Sequence, residues 1–236
     1  MRETASPRVT PRRPLPAPLA SIRMSQEARA TTHMLASLLL DYPDAAWFAR
    51  LPSLRVHLTR LPAEIAEHLT AFITAATSAG PDAFQREYVT TFDLKRRCSL
   101  YLSYFATGDT RKRGTALVTF LEAYRAAGWE FDAAELPDYL PAVLEFSALS
   151  DSPVAPALLA AHVEGIEVLR AALEEMASPW AHVVTAVTVS LPPVSDAVRE
   201  RVLALVTEGP PVETVGLSFL GNLPAFTPVA ATKERA

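Results

Sequence analysis

Apolar positions recur at helical spacing through most of this chain. Met34, Leu35, Leu38 and Leu39 fall on one face of a predicted helix. That helix should stop at Tyr42-Pro43, because a residue preceding proline is driven out of the helical region. Asp44 is suited to cap a short following helix that carries Trp47, Phe48 and Leu51. Beyond Leu61-Pro62, the positions Ile65, Leu69, Phe72, Ile73 and Ala76 keep the 3.6-residue period closely. Pro81-Asp82 open a helix presenting Phe84, Tyr88 and Phe92, and Leu117, Phe120, Leu121 and Tyr124 define another. Gly128 stands where a left-handed residue would end that helix.

The pattern continues through "PDYLPAVLEFSAL", through a long helix with Leu159, Val163, Ile166, Leu169 and Leu173, and through one with Val198, Val202 and Val206. Two stretches have strand character. Val183–Val189 is rich in β-branched residues, and Leu100, Leu102 and Tyr104 alternate. Two isolated strands would lack backbone partners, so both are read as helical. The predicted fold is all-α, a single-domain helical bundle without internal repeats. Residues 1–24, with five prolines, are expected to be a disordered arm, residues 25–208 the helical domain, and residues 209–236 a flexible tail.

Composition narrows the chemistry. Half of the residues are apolar and a fifth are charged, as in globular proteins, and no apolar run is long enough to span a membrane. Arg12-Arg13 resembles the start of a twin-arginine export signal, but Pro14, Pro16 and Pro18 interrupt the place of its apolar segment. With a single cysteine, the chain is expected to be cytoplasmic. Residues 115–208 hold four Arg against 14 Asp and Glu, a surface that repels nucleic acid and attracts basic partners.

Against that acidity, "FDLKRRCSLYLSYFATGDTRKRG" (92–114) holds six of the 22 Lys and Arg in two triplets, Lys95-Arg96-Arg97 and Arg111-Lys112-Arg113. The stretch is expected to form a buried central helix with charged ends. If Asp93 and Thr110 start helices, both triplets occupy first turns, where the helix dipole disfavours cations by ~0.3–1 kcal/mol each. Carboxylates of the acidic second half are then expected to meet at least one triplet, and an all-helical DNA-binding regulator is the alternative. Cys98 has no marked histidine partner and reads as a packed small hydrophobe. Glu64 and His68 stand one turn apart, yet neither Glu-x-x-His nor His-Glu-x-x-His occurs, so no metal site is expected. No glycine-rich phosphate loop or nucleophile elbow is present in the sequence, and neither enzyme chemistry nor a bound cofactor is predicted.

Four blocks carry a resemblance: "LLLDYPD" (38–44), "YVTTFDLKRRCSLYLSYFATGDTRKRG" (88–114), "FLEAYRAAGWEF" (120–131) and "LPDYLPAVLEF" (136–146). In order and spacing they resemble the nitrate reductase molybdenum cofactor assembly chaperones, the NarJ or delta-subunit family of the TorD-like group. "EGPPVETVG" (208–216) is similar to that family's end. The resemblance implies an all-helical cytoplasmic chaperone without turnover, absent from the finished reductase. It would bind the N-terminal leader of the catalytic subunit and hold the apo-enzyme for cofactor insertion before membrane docking. It also implies a peptide groove at the shared motifs: Tyr88, Phe92, Asp93, Tyr101, Tyr104 and Phe105 in one block, and Asp138, Tyr139, Leu140, Pro141, Leu144 and Glu145 in the other. Asp138, Tyr139 and Glu145 are the stronger candidates for client contact.

Overall fold

The computed structural model describes residues 19–107, 112–132 and 134–191, and within them the chain forms ten α-helices and no sheet. They are α1 (Gln26–Leu40), α2 (Ala45–Leu58), α3 (Ala63–Ala79), α4 (Pro81–Tyr88), α5 (Leu102–Thr107), α6 (Lys112–Ala126), α7 (Leu140–Leu149), α8 (Val154–Ala161), α9 (Val163–Glu175) and α10 (Trp180–Ser190). The expected helix at Val198–Val206, the tail, and residues 1–18 of the arm lie outside the described residues.

Local signals set the helix ends. Ser25 accepts the Ala28 N–H at the start of α1, and Asp44 accepts the Trp47 N–H at 2.7 Å at the start of α2, as its sequence position implied. Gly128 ends α6 at φ +79°, a conformation open to glycine but strained for side chains. α2 is longer than expected and carries Pro52 within it. On α1 the buried stripe runs through Leu35, Ala36, Leu39 and Leu40, leaving Met34 and Leu38 only partly covered. Leu159 and Val163 do not share one long helix, because His162 breaks the chain between α8 and α9.

The β-branched segment Val183–Val189 is wholly helical. It forms most of α10, which is buried from Val183 to Ser190 and packs against α1, α3 and α9. A helix apolar on every side belongs in a core, and burial here overrides β-propensity. α1 lies between α10 and α7, and at that junction His33 is fully buried. Its Nε2 is 3.0 Å from Ser190 Oγ and its Nδ1 2.9 Å from Ser147 Oγ. Ser190 spends its one hydroxyl proton on Val187 O. It must therefore accept from His33 Nε2–H, leaving Nδ1 to accept from Ser147. Order also begins before α1: Ile22 N–H donates to Val189 O at 2.8 Å, and Ile22 and Met24 pack on the core.

The 92–114 stretch is not one helix. α4 runs into a π-helical turn (Val89–Asp93), so Asp93 closes a helix rather than opening one. A 3₁₀ turn (Arg96–Cys98) follows, then extended backbone, and only then α5. Cys98 is buried with its Sγ 3.7 Å from Met176 Sδ. Burial pushes its thiol above the ordinary range against the opposing pull of Lys95 and Arg97, so it packs as a hydrophobe.

His33 makes stability sensitive to acid. Burial, helped by Arg29, lowers its pKa from 6.5 to about 3, so the unfolded chain binds the extra proton between those values. The stabilisation is complete above pH 6.5 and is lost as pH falls, by at most ~1.4 kcal/mol per unit. His162 and His182, also lowered by burial, act in the same direction. Denaturant titrations should show this decline between pH 7 and 5. The His33→Asn variant should be less stable at pH 7 by ~1–3 kcal/mol but decline less steeply.

Candidate functional site

Two chain segments distant in sequence are clasped together by Asp138. Its carboxylate accepts the Ser103 N–H at 3.0 Å and the Ser103 hydroxyl, capping α5 from outside its own segment. The backbone adds Leu102 N–H to Asp138 O at 2.9 Å and Leu140 N–H to Leu100 O at 2.7 Å. Tyr124 O–H donates to Pro137 O at 2.9 Å. Tyr101 and Tyr139 thus form an isolated antiparallel bridge, the close-spaced kind that brings opposed side chains together. Their rings lie 5.5 Å apart.

This short pairing sorts side chains by alternation. Leu100, Leu102, Asp138 and Leu140 turn inward and are buried, while Tyr101 and Tyr139 turn outward. The outward pair lines a cleft of about 730 Å³. Tyr42, Tyr88, Phe92 and Tyr104 supply the other aromatic walls, Asp41, Asp93 and Glu135 its acids, and Lys95, Arg96 and Arg113 its bases. Exposed apolar groups gather at the mouth: Tyr42 (44% exposed) and Leu136 (39%) line it, and Leu94 (72%) stands between two lining residues.

The interior contacts are specific. Tyr101 O–H donates to Glu135 at 2.8 Å, and Arg113 lies over the Tyr101 and Tyr104 rings at 5.5 and 5.9 Å. Tyr88 O–H donates to Leu40 O at 3.1 Å. Burial, contact with Tyr139 and the charges of Asp41 and Asp93 hold the Tyr88 phenol well above its ordinary range. Tyr139 is pushed up to about 12, by burial first and by Asp41, Glu135 and Asp93 after it.

Of the residues expected in a groove, Tyr88, Phe92, Asp93, Tyr101, Tyr104 and Tyr139 converge here. Asp138, Leu140, Pro141 and Leu144 do not. They are buried, Pro141 O accepting from Ser37 Oγ at 2.8 Å. Phe105 packs against Gly165, where an added Cβ would sit 3.0 Å from its ring. Glu145 is exposed on α7, away from the cleft. Asp138 is thus an internal clasp, and Glu145 is a solvated charge outside the cleft. Sequence reasoning missed Asp41, Tyr42, Glu135 and Leu136, although Asp41 and Tyr42 stand in the first of the resembling blocks.

Residues 58–186 match the family model described as "Nitrate reductase delta subunit", which covers more than half of the chain. The chain belongs to the nitrate reductase delta subunit family. Within it, the chain is 32% identical to the probable nitrate reductase molybdenum cofactor assembly chaperone NarJ of Bacillus subtilis, over 76% of this chain and 97% of that one. It is 36% identical to the Escherichia coli chaperone NarJ over 49% of this chain and 50% of that protein. It is also 38% identical to the nitrate reductase-like protein NarX of Mycobacterium tuberculosis, over 64% of this chain. The chain spans only 23% of that longer protein. The family match includes the clasp and every cleft residue from Tyr88 to Tyr139.

If Asp138 is a clasp, Asp138→Ala should lower stability by ~1–3 kcal/mol by leaving the Ser103 N–H without its acceptor. Glu145→Ala, on the solvated face of α7, should stay within ~0.5 kcal/mol of the unaltered protein. Urea titration of the two variants measures both.

Proposed function

We propose that this member of the delta subunit family is an assembly chaperone for a respiratory nitrate reductase. It takes the N-terminal leader of the catalytic subunit into the tyrosine-lined cleft. There it keeps the apo-enzyme open to molybdenum cofactor insertion before membrane docking. The cofactor is cargo of the client, and the chaperone's part is binding and release without turnover.

The observation that carries this reading is the open amphipathic cleft, lined from three of the four resembling blocks. An amphipathic helix needs an apolar floor and a polar rim, and anchors its aliphatic side chains among aromatic walls. Tyr88, Phe92 and Tyr139 offer such a floor, with Tyr42, Leu94 and Leu136 exposed beside it. The names of the relatives from Bacillus subtilis and Escherichia coli support the same reading. No helix of the described residues is long and apolar enough to cross a membrane.

The DNA-binding alternative gains little from the basic triplets. Arg97 pairs with Glu175 at 2.9 Å, a carboxylate of the acidic second half as anticipated, while Lys95 and Arg96 line the cleft. Arg113 lies over tyrosine rings. Among the described residues, these cations are turned to an ion pair and to the cleft rather than gathered on one continuous basic face.

Isothermal titration of the full chain with a synthetic leader peptide should show one-to-one binding. Tyr139→Ala and Leu136→Asp should each weaken it by ~10-fold, as expected for removing an anchor contact worth about 1.4 kcal/mol. Unchanged affinity in both variants would remove the cleft as the docking site.

A further inference from the structure

Away from the cleft, two histidines that no sequence motif relates meet across a helix interface. His68 lies on α3 and His182 on α10, 114 positions apart, and their Nδ1 atoms stand 3.1 Å from each other. The ring centroids are 5.4 Å apart and the planes are tilted by 45°. Both rings are half-buried, beside the core positions Leu69 and Val183 on two helices that pack together. The Glu-x-x-His and His-Glu-x-x-His patterns lie within one helix, so neither could mark a pair split between two.

As a hydrogen bond alone, this contact needs one ring protonated at Nδ1 and the other at Nε2. Among the described residues, neither ring makes a second hydrogen bond to the protein that would fix its tautomer. The buried His33 differs, being held at both nitrogens by Ser147 and Ser190. Two facing imidazole nitrogens are also the chelating pair of a zinc ion. Tetrahedral ligands about 2.0–2.1 Å from zinc leave their nitrogens about 3.3 Å apart. The observed spacing is about 0.2 Å shorter, a difference that small side-chain rotations absorb. A cavity of about 530 Å³ opens beside His182, with room for water to complete the shell, and Glu87 and Glu174 on its wall offset the charge of an ion. Glu174 already accepts from Arg170, which leaves the two histidines as the ligands.

We propose that His68 and His182 form a zinc site that ties α3 to α10, with both Nδ1 atoms as ligands and water at the open positions. No group of three His, Cys, Asp or Glu side chains able to hold a metal ion stands among the described residues, so the site is a two-ligand clip, exchangeable rather than structural. Neutral imidazole selects zinc and its neighbours in the first transition row over magnesium and calcium, which seek oxygen. Each ligand is carried on a packed helix, which fixes the spacing before an ion arrives. Neither histidine lines the tyrosine cleft, so the site stands apart from client docking.

The test uses the full chain, free of a histidine tag and isotope-labelled at the histidine ring nitrogens, with Zn²⁺ or Mg²⁺ added. In the unaltered protein Zn²⁺ should shift the ring resonances of two of the five histidines, and Mg²⁺ none. Both shifted rings should become Nε2–H tautomers, the signature of ligation through Nδ1 and a readout that needs no variant to fold. Titration calorimetry should give one zinc per chain. His68→Ala and His182→Ala should each weaken binding by at least ~10-fold, since losing even a group that supports a metal ligand costs that much. His57→Ala, at an exposed position on α2, should leave the affinity unchanged. The absence of a zinc-dependent shift in the unaltered protein, or zinc affinity undiminished in both ligand variants, would overturn the site.

Discussion

The site depends on one buried carboxylate. Asp138, fully buried, holds the first turn of α5 through Ser103 and sits in a two-bond backbone pairing with the segment before it. That clasp joins residues more than thirty positions apart and turns Tyr101 and Tyr139 to the same side. It acts together with the hydrogen bonds of Tyr101 to Glu135 and of Tyr124 to Pro137 O, which hold the same loop before α7. A buried carboxylate is tolerated only with strong donors, and here the donors belong to the element it positions.

Much of the helical framework is legible in the sequence because each helix obeys a local rule. Ile65, Leu69, Phe72, Ile73 and Ala76 are all buried on α3 as their spacing predicts, and Asp44 and Gly128 terminate helices as their chemistry predicts. The 92–114 stretch is less legible because its structure is set from a distance. Its alternating Leu100 and Leu102 did carry a strand signal. That signal was set aside for want of a partner, and the partner is Tyr139, in a loop that no local pattern marks as extended. The same remoteness explains Asp138. An aspartate next to a tyrosine in a resembling block looks like a ligand-binding pair, but alternation sends one side chain into the core and the other into the cleft.

The basic triplets, anomalous on an acidic chain, divide once the fold is known. In the first, Arg97 reaches Glu175 across to α9 and Lys95 lies 3.4 Å from Met176 Sδ, so part of the triplet fastens the 3₁₀ turn to its neighbour. Exposed pairs of this kind are worth little individually, and their role is placement more than stability. In the second, Arg113 rests on tyrosine rings of the cleft wall. Lys95, Arg96 and Arg113 thus line the cleft, which agrees with a docking surface whose polarity is set by where its charges stand.

Hydrogen–deuterium exchange of the full chain, with and without the leader peptide, tests the central claim most directly. The account predicts slowed exchange in residues 88–104 and 134–140, the two walls of the cleft, with little change in α2 and α3. Protection confined to the α3–α10 face, with both cleft walls unchanged, would contradict it.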